Sequence, residues 1–152
     1  MPEVGEIAPD FVLKDETNTE VRLSDLRGKN VVLIFYPMDF SGTCTKEFQD
    51  VTALADKFGA QDAVVYGISV DQRYAHAAFI RDLELKVHLL ADFNPKGEVA
   101  KLYGVYLDQL GFAARGTFVI DREGVIRYKV VNQPADARNQ EEALEALAGC
   151  NV

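Results

Sequence analysis

The sequence predicts an α/β domain, a central mixed β-sheet held between layers of helix. Three observations point to it. Apolar runs of strand character at residues 31–36 and 63–70 alternate with stretches whose apolar residues recur at helical spacing. A hairpin signature comes late, with runs at 117–120 and 125–131 flanking Asp121-Arg122-Glu123-Gly124. The chain has 152 residues, of which 48% are hydrophobic, enough for one compact domain around one sizeable core. No repeat, low-complexity tract or linker interrupts it, so residues 1–152 read as a single domain.

Taken in order, residues 8–13 alternate weakly and read as a short strand. Val21-Arg22-Leu23 reads as a second, followed by a turn or single helical turn through Gly28. Val31-Val32-Leu33-Ile34-Phe35-Tyr36 is continuously apolar, β-branched and aromatic, as suits a central strand covered on both faces. After Pro37 the period changes. Phe48, Val51, Leu54, Ala55 and Phe58 form the stripe of one helix, with Gly59 as its stop. A second buried strand follows at 63–70, and Asp71 is placed to cap a helix running to about Leu83. Residues 87–90 read as a short strand and 96–103 as a short helix. The late hairpin carries Gly124 where a positive φ is expected, and a last helix runs from Asp136 to about Ala148. The thioredoxin-like fold, a three-layer sandwich, has this order of parts.

Charge narrows the function. Sixteen Lys and Arg against 24 Asp and Glu leave a net charge of −8, which argues against nucleic acid and against an anionic membrane surface. No apolar run approaches the roughly 20 residues that span a bilayer, and the first residues lack the order of a secretory signal. Two cysteines, Cys44 and Cys150, are too few and too far apart for a disulfide scaffold. His76 and His88 have no partner at ligand spacing and there is no CxxC pair, so no metal is expected and both histidines are assigned to structure or surface. The expected setting is the cytoplasm.

The chemistry concentrates at Phe35-Tyr36-Pro37-Met38-Asp39-Phe40-Ser41-Gly42-Thr43-Cys44-Thr45-Lys46-Glu47, which delivers one cysteine to a strand-to-helix junction. A helix amino terminus favours an anion there, Ser41 and Thr43 add hydroxyls within one turn, and Pro37 stiffens the entry. Asp39 and Glu47 oppose a thiolate, so a reactive Cys44 needs a cation from elsewhere in the chain. Tyr36 and Phe40 read as packing.

Pro37-x-x-x-Ser41-x-x-Cys44 resembles the PxxxTxxC motif of the peroxiredoxins, thiol-dependent peroxidases built on a thioredoxin-like fold. Gly5-x-x-Ala8-Pro9-Asp10-Phe11 is similar to that family's amino-terminal signature, and Arg115-Gly116-Thr117-Phe118-Val119-Ile120-Asp121 to the segment carrying its active-site arginine. The match runs from Gly5 to Tyr128 and looks closest to the one-cysteine AhpE-type subgroup. The resemblance implies that Cys44 attacks a hydroperoxide and becomes a sulfenic acid, with Arg115 as the missing cation. It implies that the Ser41 hydroxyl and the N–H groups of Thr43 and Cys44 stabilise charge, that Pro37 shields the pocket, and that Glu47 orients Arg115. It also implies a homodimer, no cofactor, and recycling by an external reductant, either a thioredoxin- or glutaredoxin-like protein or a low-molecular-weight thiol.

Two positions depart from the family pattern. Ser41 replaces the more frequent threonine, keeping the hydroxyl. Gln49 stands five residues after Cys44, where a helix-resolved subgroup often carries a second cysteine. Cys150, near the chain end, is a possible resolving residue or an incidental thiol on a frayed tail. The rival readings are a thiol–disulfide exchange module, for which Glu47 stands where CxxC needs its second cysteine, and a peroxide sensor that reacts without turnover.

Overall fold

The computed structural model describes residues 1–151. Strand β1 (Val12–Lys14) pairs antiparallel with β2 (Glu20–Arg22), and a 3-10 turn (Leu23–Leu26) leads to β3 (Asn30–Phe35). Helices α1 (Gly42–Ala53) and α2 (Ala55–Ala60) follow, then β4 (Ala63–Ser69), α3 (Arg73–Leu83), β5 (His88–Ala91) and α4 (Glu98–Leu102). A small hairpin, β6 (Tyr106–Leu107) and β7 (Phe112–Ala113), precedes β8 (Arg115–Ile120), β9 (Ile126–Asn132) and α5 (Gln140–Cys150). The main sheet has the order β5-β4-β3-β8-β9; β3 runs parallel to β4 and antiparallel to β8.

Alternation along β3 explains the three layers. Successive strand residues point to opposite faces. Val31, Leu33 and Phe35 pack into one cluster with Val99, Ala100 and Tyr103 from around α4 and with Val21 of β2. Val32 and Ile34 pack into the other, against Phe48 and Val51 of α1, Phe79 of α3, and Ala143 and Leu147 of α5. All six β3 residues are buried, as the unbroken apolar run predicts. α1 lies close to the sheet because β4 carries Gly67: a Cβ there would stand 2.5 Å from Leu89 Cδ2 and 2.8 Å from Phe48 Cζ.

Several boundaries differ from the sequence expectation. The single helix expected through Phe58 is two, divided at Leu54, whose N–H reaches both Asp50 O and Val51 O. The apolar stripe continues across the break, since Leu54 and Phe58 still face the same cluster. Gly59 lies inside α2, and the chain reverses instead at Asp62, which has φ +55°. Asp71 does not cap α3; its carboxylate accepts from Ser69 Oγ and Asp39 N. The last helix begins at Gln140, four residues later than expected, because the Asn139 side chain supplies the cap by accepting from Glu141 N. The β6–β7 hairpin was not expected; two residues per strand are too few to show a period. Gly124 does take a positive φ, +85°, and a Cβ there would strike the Arg27 guanidinium.

Candidate active site

β3 ends at Phe35, and the chain crosses the sheet edge through buried Tyr36 and Pro37 before turning into α1. Ser41 is the cap of α1: its Oγ accepts from Cys44 N at 3.3 Å, and its carbonyl accepts from Thr45 N. Cys44 therefore sits in the first helical turn, where free N–H groups and the helix dipole favour negative charge. It is fully buried. Ser41, with its oxygen engaged by Cys44 N, keeps its own O–H free to donate. Thr43 does not cap the helix, and its hydroxyl has no hydrogen bond among the described residues.

The cation arrives from β8. Arg115, the first residue of that strand, donates from Nη1 to Cys44 Sγ at 3.2 Å and to Glu47 Oε1 at 2.7 Å, and from Nε to Pro134 O at 2.7 Å. Cys44 and Glu47 of α1 and Arg115 of β8 thus form one buried cluster.

A fourth member was not anticipated. Arg138, inside the stretch expected to be helical, is 6% exposed. Its backbone N and Nε both donate to Glu47 Oε2 (2.8 and 2.9 Å), and its Nη2 donates to Glu47 Oε1 and Phe35 O. Nη1 reaches Gly116 O and Thr117 Oγ1. Burial pulls the Arg138 pKa below the usual arginine value, with Glu47 opposing the shift. A lone arginine in a polar stretch looks like a surface residue. The signal that could have found it is charge balance, since Glu47 must enter the core with enough cation to accompany it.

The charge count decides the chemistry. Two buried guanidiniums face one carboxylate, leaving an excess of one positive charge beside the sulfur. The formal charges of the two guanidiniums, one carboxylate and a thiolate at Cys44 would sum to zero.

Pro37 is buried at the loop entry. Cys150 ends α5, half-buried against the α1/α3/α5 cluster rather than on a frayed tail. The next residue, Asn151, accepts from Asn30 Nδ2 and donates to Gln61 O, at the start of β3. Cys44 lies beyond the far end of that strand, which spans roughly 17 Å. The two free thiols are therefore outside disulfide reach within one chain. The histidines, expected to lack partners, gain them through the fold. His76 lies buried beside Asp39 and Asp71, and exposed His88 beside Asp15 and Glu16.

A family model described as the AhpC/TSA family matches residues 4–129. The chain belongs to that family. As a peroxiredoxin it is 40% identical over 149 residues to alkyl hydroperoxide reductase E of Mycobacterium tuberculosis, covering 97% of each chain. It is 41% identical over 152 residues to the putative peroxiredoxin bcp of Helicobacter pylori strain J99, covering 95% of this chain and 97% of the relative. Among solved structures, this peroxiredoxin resembles peroxidoxin BcpB from M. tuberculosis (TM-score 0.86, 33% identity, 96% of both chains). It also resembles AhpC of Enterococcus faecalis (TM-score 0.89, 29% identity, 98% of this chain and 92% of that one). The thioredoxin-like three-layer fold expected from the sequence is thereby shared with solved members.

Proposed function

We propose that this peroxiredoxin reduces hydrogen peroxide and organic hydroperoxides with Cys44 as the attacking thiolate. The observation that carries the reading is the 3.2 Å contact between Arg115 Nη1 and Cys44 Sγ inside a cluster holding one excess positive charge. The sulfur attacks one peroxide oxygen; an S–O bond forms as the O–O bond breaks. Sulfur loses two electrons and becomes a sulfenic acid, while the departing oxygen takes up a proton and leaves as water or alcohol. Arg115 and the Ser41 O–H are the donors available to the charge that develops on the peroxide oxygens. Glu47 and Arg138 hold Arg115 in place.

Recycling comes from outside the chain. An external thiol attacks the sulfenic sulfur, releases water and leaves a mixed disulfide, which a second thiol resolves. The thiol is that of a thioredoxin- or glutaredoxin-like protein or a small molecule. A homodimer and a reducing, cytoplasmic setting complete the proposal; the two unpaired thiols support the latter.

Stopped-flow peroxide consumption tests it. Cys44→Ser is expected to abolish the reaction, and dimedone is expected to trap a sulfenic acid on Cys44 of the parent protein. Undiminished consumption by the serine variant sinks the proposal.

A further inference from the structure

The loop that carries Ser41 to Cys44 is held in a conformation it does not adopt cheaply. Phe40, immediately before Ser41, has φ +68°. A non-glycine residue in the left-handed region is strained and persists only where its surroundings fix it. The fixing runs through the neighbouring residue, Asp39. Its backbone N–H donates to Asp71 Oδ2 at 2.9 Å, and Asp71 is itself tied to Ser69 Oγ at 2.6 Å. One carboxylate oxygen of Asp39 accepts from the Tyr36 O–H at 2.6 Å, and the other lies 2.8 Å from His76 Nδ1.

His76 is the member that ties this loop to the rest of the molecule. It stands on α3 and is fully buried. Its Nε2 lies 3.0 Å from Leu90 O, a carbonyl of β5, which can only accept, so Nε2 carries a hydrogen. The opposite ring nitrogen, Nδ1, lies 2.8 Å from Asp39 Oδ2 and 3.3 Å from the Tyr36 hydroxyl. The ring therefore bridges the loop to α3 and β5 through two directed hydrogen bonds. Among the described residues, none of these hydrogen bonds is made to the sulfur or to the two arginines of the cluster.

We propose that His76 is a positioning residue for the peroxide step: through Asp39 it fixes the loop that sets the Ser41 hydroxyl beside Cys44. The inference rests on Cys44 being the attacking group. It separates two properties of the sulfur. The charge that favours a thiolate comes from Arg115 and Arg138, which Glu47 holds in place, whereas the placement of the Ser41 donor comes from His76, Asp39 and Tyr36.

The separation is measurable. Two rates are recorded on the same folded protein: peroxide oxidation of Cys44 by stopped flow, and its alkylation by iodoacetamide, which needs a reachable thiolate but no oriented hydroxyl. Glutamine can reproduce the Nε2 donor to Leu90 O but not the Nδ1 contact; asparagine can reproduce the Nδ1 contact with Asp39. His76→Gln is expected to slow peroxide oxidation on the order of 100-fold, the effect of misplacing a reacting group by about 1 Å, with alkylation at the parent rate. His76→Asn is expected to restore most of the peroxide rate. Tyr36→Phe removes a second bond to the same carboxylate without changing the packing, and is expected to slow oxidation about tenfold. It decides the question if His76→Gln does not fold. The inference is overturned if oxidation and alkylation fall in parallel, if neither falls, or if the asparagine and glutamine variants are equally slow. A Cys44→Ser protein that still consumes peroxide would instead overturn the assignment of the attacking group.

Discussion

Glu47 receives three hydrogen bonds from Arg138, one from the backbone N–H and two from the guanidinium, before it offers anything to Arg115. The carboxylate that orients the arginine beside the sulfur is itself held by another arginine, and each is nearly inaccessible to solvent. Removing one member of such a buried set leaves the others without compensation.

Glu47→Ala should therefore destabilise the fold by about 3–5 kcal/mol, the usual cost of stranding buried charge. It should also slow peroxide oxidation, because Arg115 loses the contact that aims it. Urea unfolding and stopped-flow kinetics on one preparation check both effects. Glu47→Gln should fall between the parent and alanine in each measurement.

Arg138→Lys keeps the charge and loses the fork. A lysine cannot reach Glu47, Phe35 O, Gly116 O and Thr117 Oγ1 together, so acceptors at the end of β3 are left unpaired in the core. The expected loss is about 2–4 kcal/mol in unfolding free energy. A lysine variant as stable as the parent would show that the charge alone suffices.

Burial pushes the Cys150 thiol pKa up, with Asp121 adding to the shift and Arg127 and Arg122 opposing it. At neutral pH it should be alkylated more slowly than an exposed free thiol. Cys150→Ser should turn over at the parent rate with an external thiol. Peptide mass spectrometry after one equivalent of peroxide should find no Cys44–Cys150 bond within a chain.

Tyr128, partly buried and bonded to Glu142, has its pKa pushed up to about 12. A group whose pKa is higher folded than unfolded binds its proton more tightly in the native state. Its contribution is complete below pH 10 and is lost as pH rises from about 10 to 12. Tyr128→Phe should flatten the fall in stability across that window, as read by urea midpoints at pH 9 and pH 11.

Gly67→Ala places a methyl group against Phe48 and Leu89. It should cost about 1–3 kcal/mol through overpacking. It should also slow peroxide oxidation, since Phe48 lies one turn beyond Cys44 on the displaced helix.

The sequence was most legible where one residue type has few uses. The apolar run of β3, the turn glycine Gly124 and the Pro37–Cys44 spacing each admit few structures. Arg115 was legible only through family resemblance, since nothing near it in sequence shows that it faces a sulfur 71 residues away. Arg138 and His76 were not legible. Each is buried by partners from two or more separate segments, and no local period or spacing records such a meeting. The helix ends at Leu54 and Asn139 were missed because the apolar stripe crosses the first and a polar side chain sets the second.

The segment bearing Arg138 docks on the end of β3 more than a hundred residues after that strand was made. During synthesis, the sulfur emerges long before either guanidinium that accompanies it. A growing chain therefore holds Cys44 without the two guanidiniums that accompany it in the folded protein.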